Sequence, residues 1–262
     1  MTWVVLGCFI LCIAMVFFIM MYREAMRDTL LEHTILFANF PVSFGEVRVF
    51  FISDIHKRTV SQSLIQKVKG KGKGKVDLVI IGGDLAERGV PLSRVADNIK
   101  RLNEIGQVYF VWGNNDYEIN FHELDALLLQ NGVKILDNTG TLFESELGEK
   151  IWLLGVDDVG LKRDRLDLAL VDCKEEGFRI LVSHNPDILY KLNGTERISC
   201  ILSGHTHGGQ IRFFHATRFL KGGIYEYPHT ILFVSNGYGT TFVPLRFRAP
   251  AQTHLITLGR KD

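Results

Sequence analysis

The first strong pattern along the chain is a stretch without polarity. From Trp3 to Tyr22 run 20 residues with no charged side chain, WVVLGCFILCIAMVFFIMMY. Coiled as a helix, such a run is about 30 Å long, the thickness of bilayer hydrocarbon. No Lys or Arg precedes it, and it exits through bulky residues rather than a small-residue cleavage site. It therefore reads as a transmembrane anchor over residues 1–22, not as a secretion signal. Arg23 and Arg27 follow directly. By the positive-inside rule this predicts a single-pass protein of the cell membrane, with the remainder in the cytoplasm.

Residues 23–45 read as an amphipathic connector (Leu30, Leu31, Ile35, Leu36, Phe37) broken at Pro41. From residue 46 a different rhythm sets in. Runs rich in Val, Ile and Phe end repeatedly in polar or glycine clusters: Val47–Ile52, Val76–Ile81, Val108–Trp112, Ile151–Val156, Phe178–Val182 and Ile198–Leu202. Helical stretches intervene at Leu92–Ile105, Phe121–Gln130 and Pro186–Leu192. Apolar strands alternating with crossover segments predict an α/β fold with central, buried strands. Short strands near Gln210–Phe214, Ile231–Val234 and Gln252–Thr257 point to a second sheet in the tail.

Composition refines this picture in two places. Four Cys, two of them (Cys8 and Cys12) inside the apolar run, are too few and too scattered for a disulfide scaffold. The net charge of +1 excludes a uniformly basic nucleic-acid coat, and nothing resembles a nucleic-acid module. That balance is uneven, however: residues 23–75 hold 10 basic and 5 acidic side chains, residues 76–262 hold 20 and 24. The basic excess includes Lys67-Val-Lys-Gly-Lys-Gly-Lys-Gly-Lys75. This stretch is expected to be a flexible, solvated loop that buries no face, or a contact for anionic lipid headgroups.

The chemistry sits where the strands end. In order come Ser53-Asp54-Ile55-His56, Gly82-Gly83-Asp84, Gly113-Asn114-Asn115-Asp116, Ser183-His184-Asn185-Pro186 and Ser203-Gly204-His205-Thr206-His207-Gly208-Gly209-Gln210. In an open α/β sheet, ligands bind beyond the carboxyl ends of the strands, so these clusters should converge. Asp54, His56, Asp84, Asn114, His184, His205 and His207 then offer imidazoles, carboxylates and an amide oxygen. Such a set suits borderline or hard divalent cations such as Mn, Fe or Zn. No Cys joins it, which argues against a structural zinc site.

D-x-H, G-D, G-N-x-D, H and G-H-x-H are together the blocks of the calcineurin-like metallophosphoesterase superfamily, which residues 46–258 resemble. Ser183–Asp187, His205–Gln210, Gly155–Asp158 and Gly237–Arg246 are further similar to its membrane-associated bacterial branch, near the UDP-2,3-diacylglucosamine hydrolases and their Gram-positive relatives. The resemblance implies a two-sheet sandwich flanked by helices over residues 46–262. It also implies two divalent metal ions, manganese first, with iron or zinc as alternatives. Asp54, His56 and His207 would hold one; Asn114, His184 and His205 the other; Asp84 would bridge. The implied reaction is hydrolysis of a phosphodiester or pyrophosphate by metal-bound hydroxide, with Asp84, Asn114, Asn115 and Asp116 as catalytic residues.

One position departs from the pattern. Many members read G-N-H-D, with the His serving the leaving oxygen; here that position is Asn115, which cannot deliver a proton near pH 7. His122 is a possible stand-in. A missing general acid costs about 10²–10⁴-fold on poor leaving groups and little on acidic ones. The expectation is therefore an activated diester or pyrophosphate. The substrate is either a phosphorylated lipid-linked molecule reached at the bilayer or a soluble nucleotide. A catalytically impaired metal- and phosphate-binding sensor is the reading from another class. Arg212, Arg218 and Lys221, set among aromatics just after the last block, are candidate substrate contacts. Arg246 and Arg248 resemble them.

Overall fold

A computed structural model describes residues 1–71, 75–213 and 219–261. The runs that are apolar at every position bury both faces, as central parallel strands must. In chain order the strands of the first half are β1 (Leu30–Phe37), β2 (Glu46–Ile52), β3 (Leu78–Ile81), β4 (Val108–Phe110), β5 (Lys134–Ile135) and β6 (Thr139–Glu144). Those of the second half are β7 (Lys150–Gly155), β8 (Phe178–Val182), β9 (Ile198–Ser203), β10 (Gly223–Glu226), β11 (Ile231–Val234) and β12 (Thr253–Arg260). They form two six-stranded sheets, ordered β1-β12-β2-β3-β4-β5 and β10-β11-β9-β8-β7-β6. Within these, β2 to β5 run parallel, as do β7, β8, β9 and β11.

Strand periodicity decides which core each side chain joins. Val49 and Phe51 of β2 and Ile80 of β3 face the second sheet, where they meet Leu153, Ile180, Leu202 and Phe233. Phe50, Ile52, Val79 and Ile81 face outward, against helices α2 (Gln62–Gly70), α3 (Leu92–Asn103) and α4 (Phe121–Gln130). The second sheet's outer face is covered by Ala169 and Ile188, from α5 (Leu166–Val171) and the 3₁₀ turn Pro186–Lys191. The result is a two-sheet α/β sandwich between helical layers.

Three expectations need correction. Residues 23–45 are not simply a connector: Leu30–Phe37 is the edge strand β1, paired in parallel with β12 from Leu30↔Thr253 to Phe37↔Arg260, with Ile35 and Phe37 buried. An amphipathic spacing read locally gave way to a partner far away in sequence. In the tail, β12 inserts into the first sheet between β1 and β2. The stretch at Gln210–Phe214 yields only the isolated bridge Ile211↔Phe247, and Phe214 itself lies outside the described residues. In the lysine-rich stretch, α2 extends to Gly70 and buries Val68, while Lys69 and Lys71 pair with Glu104 and Glu32. Residues 72–74 lie outside the described ones.

The apolar run forms one helix, α1 (Thr2–Ala25), long and apolar enough to cross a membrane. Only Met21 and Ala25, near its end, are buried. There Arg58 donates to the carbonyls of Ala25, Met26 and Arg27 at 3.2, 2.6 and 3.0 Å. A cation at the C-terminal carbonyls satisfies groups the helix leaves unpaired and opposes its dipole.

The inter-sheet core makes a direct prediction. Phe51, fully buried and edge-on to Phe233 at 6.0 Å, should cost about 3–5 kcal/mol when cut to Ala. Replacing exposed Leu147 by Ala should change stability by less than about 0.5 kcal/mol. Denaturant unfolding of the two variants measures both.

Candidate metal centre

Parallel strands deliver their carboxyl ends to one edge of each sheet. Asp54 and His56 follow β2, Asp84 follows β3, and Asn114 to Asp116 follow β4. His184 follows β8, and His205 and His207 follow β9. The carboxylates and His56 thus come from one sheet and the remaining imidazoles from the other. Ligand-capable atoms of Asp54, His56 and His207 lie within 4.8 Å of one another, as do those of Asp54, Asp84 and His184. Asp84 Oδ2 lies between the groups, 3.2 Å from His184 Nε2 and 3.7 Å from His56 Nε2. His56 Nε2 faces His207 Nε2 at 3.1 Å, and His205 Nδ1 faces His184 Nε2 at 3.2 Å.

The backbone is bent to aim these side chains inward. Asp54, His56, Asp84, His205 and His207 all have positive φ (53°, 52°, 52°, 68° and 49°). Each such residue costs on the order of 1–3 kcal/mol and persists only when its surroundings dictate it. The surroundings here are hydrogen bonds and close packing. Asp54 N–H donates to Gly83 O at 3.0 Å, His56 N–H to Asp84 O at 3.1 Å, and Asp54 accepts from His205 N–H at 3.1 Å. Gly113 and Gly204 press against the carboxylates of Asp84 and Asp54, where a Cβ would collide with them.

The imidazoles are oriented from behind. His184 Nδ1 donates to Gly82 O at 2.8 Å, and His56 Nδ1 lies 2.9 Å from Glu87 Oε2. Both arrangements leave Nε2 directed at the cluster, the orientation metal-ligating histidines receive from such partners. Burial alone would lower His184, but the adjacent Asp84 reverses this and pushes it up to about 10. His56 is likewise raised: burial opposes, but the Glu87 hydrogen bond and the charge of Asp84 prevail. His207 is held well below the usual imidazole range by burial, His56 and the guanidinium of Arg246. His205 is lowered by burial and His184.

Asn114 Oδ1 is buried without a hydrogen-bond partner among the described residues. Leaving a buried acceptor unmet costs about 1–3 kcal/mol, and a cation would meet it. Together with the converging nitrogen and oxygen donors, this fits divalent metal ions. Asp158, just past β7, is fully buried with Oδ2 unpartnered among the described residues, and burial raises its pKa against the pull of His184 and His205.

Other candidates fall differently. Asn115 N–H donates to Asp84 Oδ1 at 2.8 Å, while its side chain donates to Glu118 and accepts from Asn114. Asp116, expected to be catalytic, is fully buried and accepts backbone N–H groups from Asp84, Ala86 and Gly113, each at 2.9 Å. It positions the loop carrying Asp84 rather than facing the centre. His122 is exposed against Phe121. Arg212 donates to Gly208 O at 2.9 Å, just behind His207. Lys221 is exposed before β10, and Arg218 lies outside the described residues. Arg246 is fully buried, not a surface contact, and Arg248 is exposed over the Phe247 ring. Sequence reasoning missed Glu87 and the buried role of Arg246; the only signal for Glu87 is its place in the loop three residues after Asp84.

A family model described as calcineurin-like phosphoesterase matches residues 47–209. The uncharacterized protein YpbG of Bacillus subtilis (strain 168) is 44% identical over 245 residues, covering 91% of this chain and 90% of its own length. A transmembrane protein with metallophosphoesterase domain from Danio rerio is 31% identical over 83% of this chain, which spans 54% of that relative. An uncharacterized metallophosphoesterase from Helicobacter pylori (strain ATCC 700392 / 26695) is 29% identical, and the chain spans 61% of its length. Among solved structures, the sulfate thiohydrolase SoxB of Thermus thermophilus in complex with glycerol shares the fold. Its TM-score is 0.52 at 13% identity, over 82% of this chain and 57% of that one.

Because His184 without metal holds its proton up to about pH 10, metal uptake at neutral pH must expel it. Affinity for Mn²⁺ should therefore rise with pH, by up to about tenfold per unit for one displaced proton. Calorimetric titration in two buffers of different ionisation enthalpy should give heats that differ by the released proton; identical heats contradict it.

Proposed function

Because this chain belongs to the calcineurin-like phosphoesterase family, and is thus a metal-dependent phosphoesterase, we propose that it is a membrane-anchored hydrolase of phosphodiester or pyrophosphate bonds with two divalent metal ions. The observation that carries this reading is the convergence of Asp54, His56, Asp84, His184 and His207, together with the buried Asn114 Oδ1 that has no hydrogen-bond partner among the described residues. Asp54, His56 and His207 would hold one ion and Asn114, His184 and His205 the other, with Asp84 shared between them. When bound, such ions lower the pKa of a water, clamp phosphoryl oxygens and offset charge in an in-line displacement. Manganese is the first candidate, since the carboxylate and amide oxygens suit it, with iron or zinc, which the imidazoles suit, as alternatives.

The chain's own residues set the substrate class. Asn115 stands where a proton donor to the leaving group is expected, and its amide is already shared between Glu118 and Asn114. A site so equipped favours a leaving group that needs no proton. Helix α1 serves as the anchor, and Arg23 and Arg27 just past its uncharged run support a cytoplasmic body by the positive-inside rule. The substrate is accordingly a phosphorylated, lipid-linked molecule met at the bilayer.

Full-length protein in detergent with Mn²⁺ should hydrolyse bis-nitrophenyl phosphate or pyrophosphate faster than a simple alkyl monophosphate; the reverse order overturns the assignment. Asp84→Ala should lose both bound metal and turnover. Asn115→His should raise alkyl monophosphate turnover by about 10²-fold or more, restoring the missing acid.

A further inference from the structure

Resting on the anchor reading above, we propose that an apolar rim of the catalytic body, formed by Phe213, Phe242, Val243 and Phe247, lies within the interfacial layer of the bilayer. The centre then opens at the membrane surface itself. The argument starts from where α1 meets the body. Arg246 N–H donates to Met21 O at 3.1 Å, and the Phe17 ring meets Phe247 edge-on at 5.1 Å. Phe17 is the only residue between 11 and 20 that is half-buried; the others are exposed. It lies five residues inside the uncharged run that ends at Tyr22, which along a helix is about 7.5 Å.

That depth decides between two arrangements. If the body stayed wholly in water, the helix would have to cross with residues 3–16, about 21 Å against roughly 30 Å of hydrocarbon. If the whole run from Trp3 to Tyr22 crosses, the contacts made at 17–21 occur inside the bilayer boundary, and Phe247 is carried in with them. The shorter crossing leaves a mismatch of about 9 Å; the longer one matches.

The surface around Phe247 suits that position. Phe213 packs on it at 5.6 Å and is itself exposed. In the same loop Phe242 is 95% exposed and held at φ 59°, with Val243 exposed beside it. A bulky ring in left-handed backbone, displayed to water, gains nothing there; in an interface it buries apolar area. Arg248 lies over the Phe247 ring at 5.3 Å, placing a cation where phosphate headgroups begin. Beside the rim, Met26, Lys57, Arg58, Glu87, Gly239 and Phe242 line a cavity of 330 Å³, and Glu87 links it to the centre through His56. A lipid-linked phosphate could pass from bilayer to cavity without crossing bulk water.

The test uses the full chain in phosphatidylcholine vesicles brominated near the headgroup. Phe242→Trp should lose most of its added emission relative to wild type. Leu147→Trp, exposed in the β6–β7 turn at the opposite end of the sandwich, should keep its own. Equal quenching of the two, or none at 242, overturns the rim. Alkaline extraction in parallel reports on the anchor: a chain released from the vesicles overturns the anchor, whereas a retained chain with an unquenched Trp at 242 overturns the rim alone.

Discussion

The loops around the centre depend on one buried cation. Arg246 is fully buried, and its guanidinium donates to the carbonyls of His207, Asn236, Gly237, Gly239 and Ala249 while facing His207 Nδ1 at 3.2 Å. Its backbone N–H holds Met21 of α1. Burial lowers its pKa to about 10, with Asp54 pulling the other way. Taking a guanidinium out of water is costly, and a fan of carbonyl acceptors offsets the cost only if every one is in place. The same requirement locks the loops after β9 and β11 and the end of α1 into one arrangement. Arg58 repeats the device nearby, stacked on Tyr238 at 3.7 Å while it caps α1.

The centre is also a seam. Asp54, His56, Asp84 and Asn114 are carried by the first sheet, and His184, His205 and His207 by the second. Their spacing is therefore set by how the two inner faces pack, with Phe51 and Phe233 among the contacts. Close-packed interiors transmit small shifts rather than absorbing them. Side chains with no polar atom near the chemistry thus help fix the ligand geometry.

Much of this was legible in the chain because each central strand is an unbroken apolar run ending in a polar, glycine-containing cluster. That pattern marks both the strand and the place where its loop must turn, so the positions of Asp54, Asp84, Asn114, His184 and His205 follow from it. Residues whose role depends on distant partners were not legible. Arg246 looks like any arginine of a solvated edge until the loops at 207 and 236–239 close over it. Leu30–Phe37 carries an apolar spacing that fits a helix or a strand, and only β12 decides between them. Glu87 gains its role from His56, a pairing that local periodicity cannot register.

The placement of β12 between β1 and β2 governs the order in which the protein can be made. Residues 53–252 separate β2 from the strand that must slot in beside it. While a ribosome delivers that intervening length, the facing edges of β1 and β2 stay unpaired, and closing them on each other would shut out the proper neighbour. Helix α1, β1 and β2 all emerge long before β12, so the gap between the two strands has to be kept open until the last strand arrives. Closure of the first sheet is thus the final step of its assembly, made by the end of the chain.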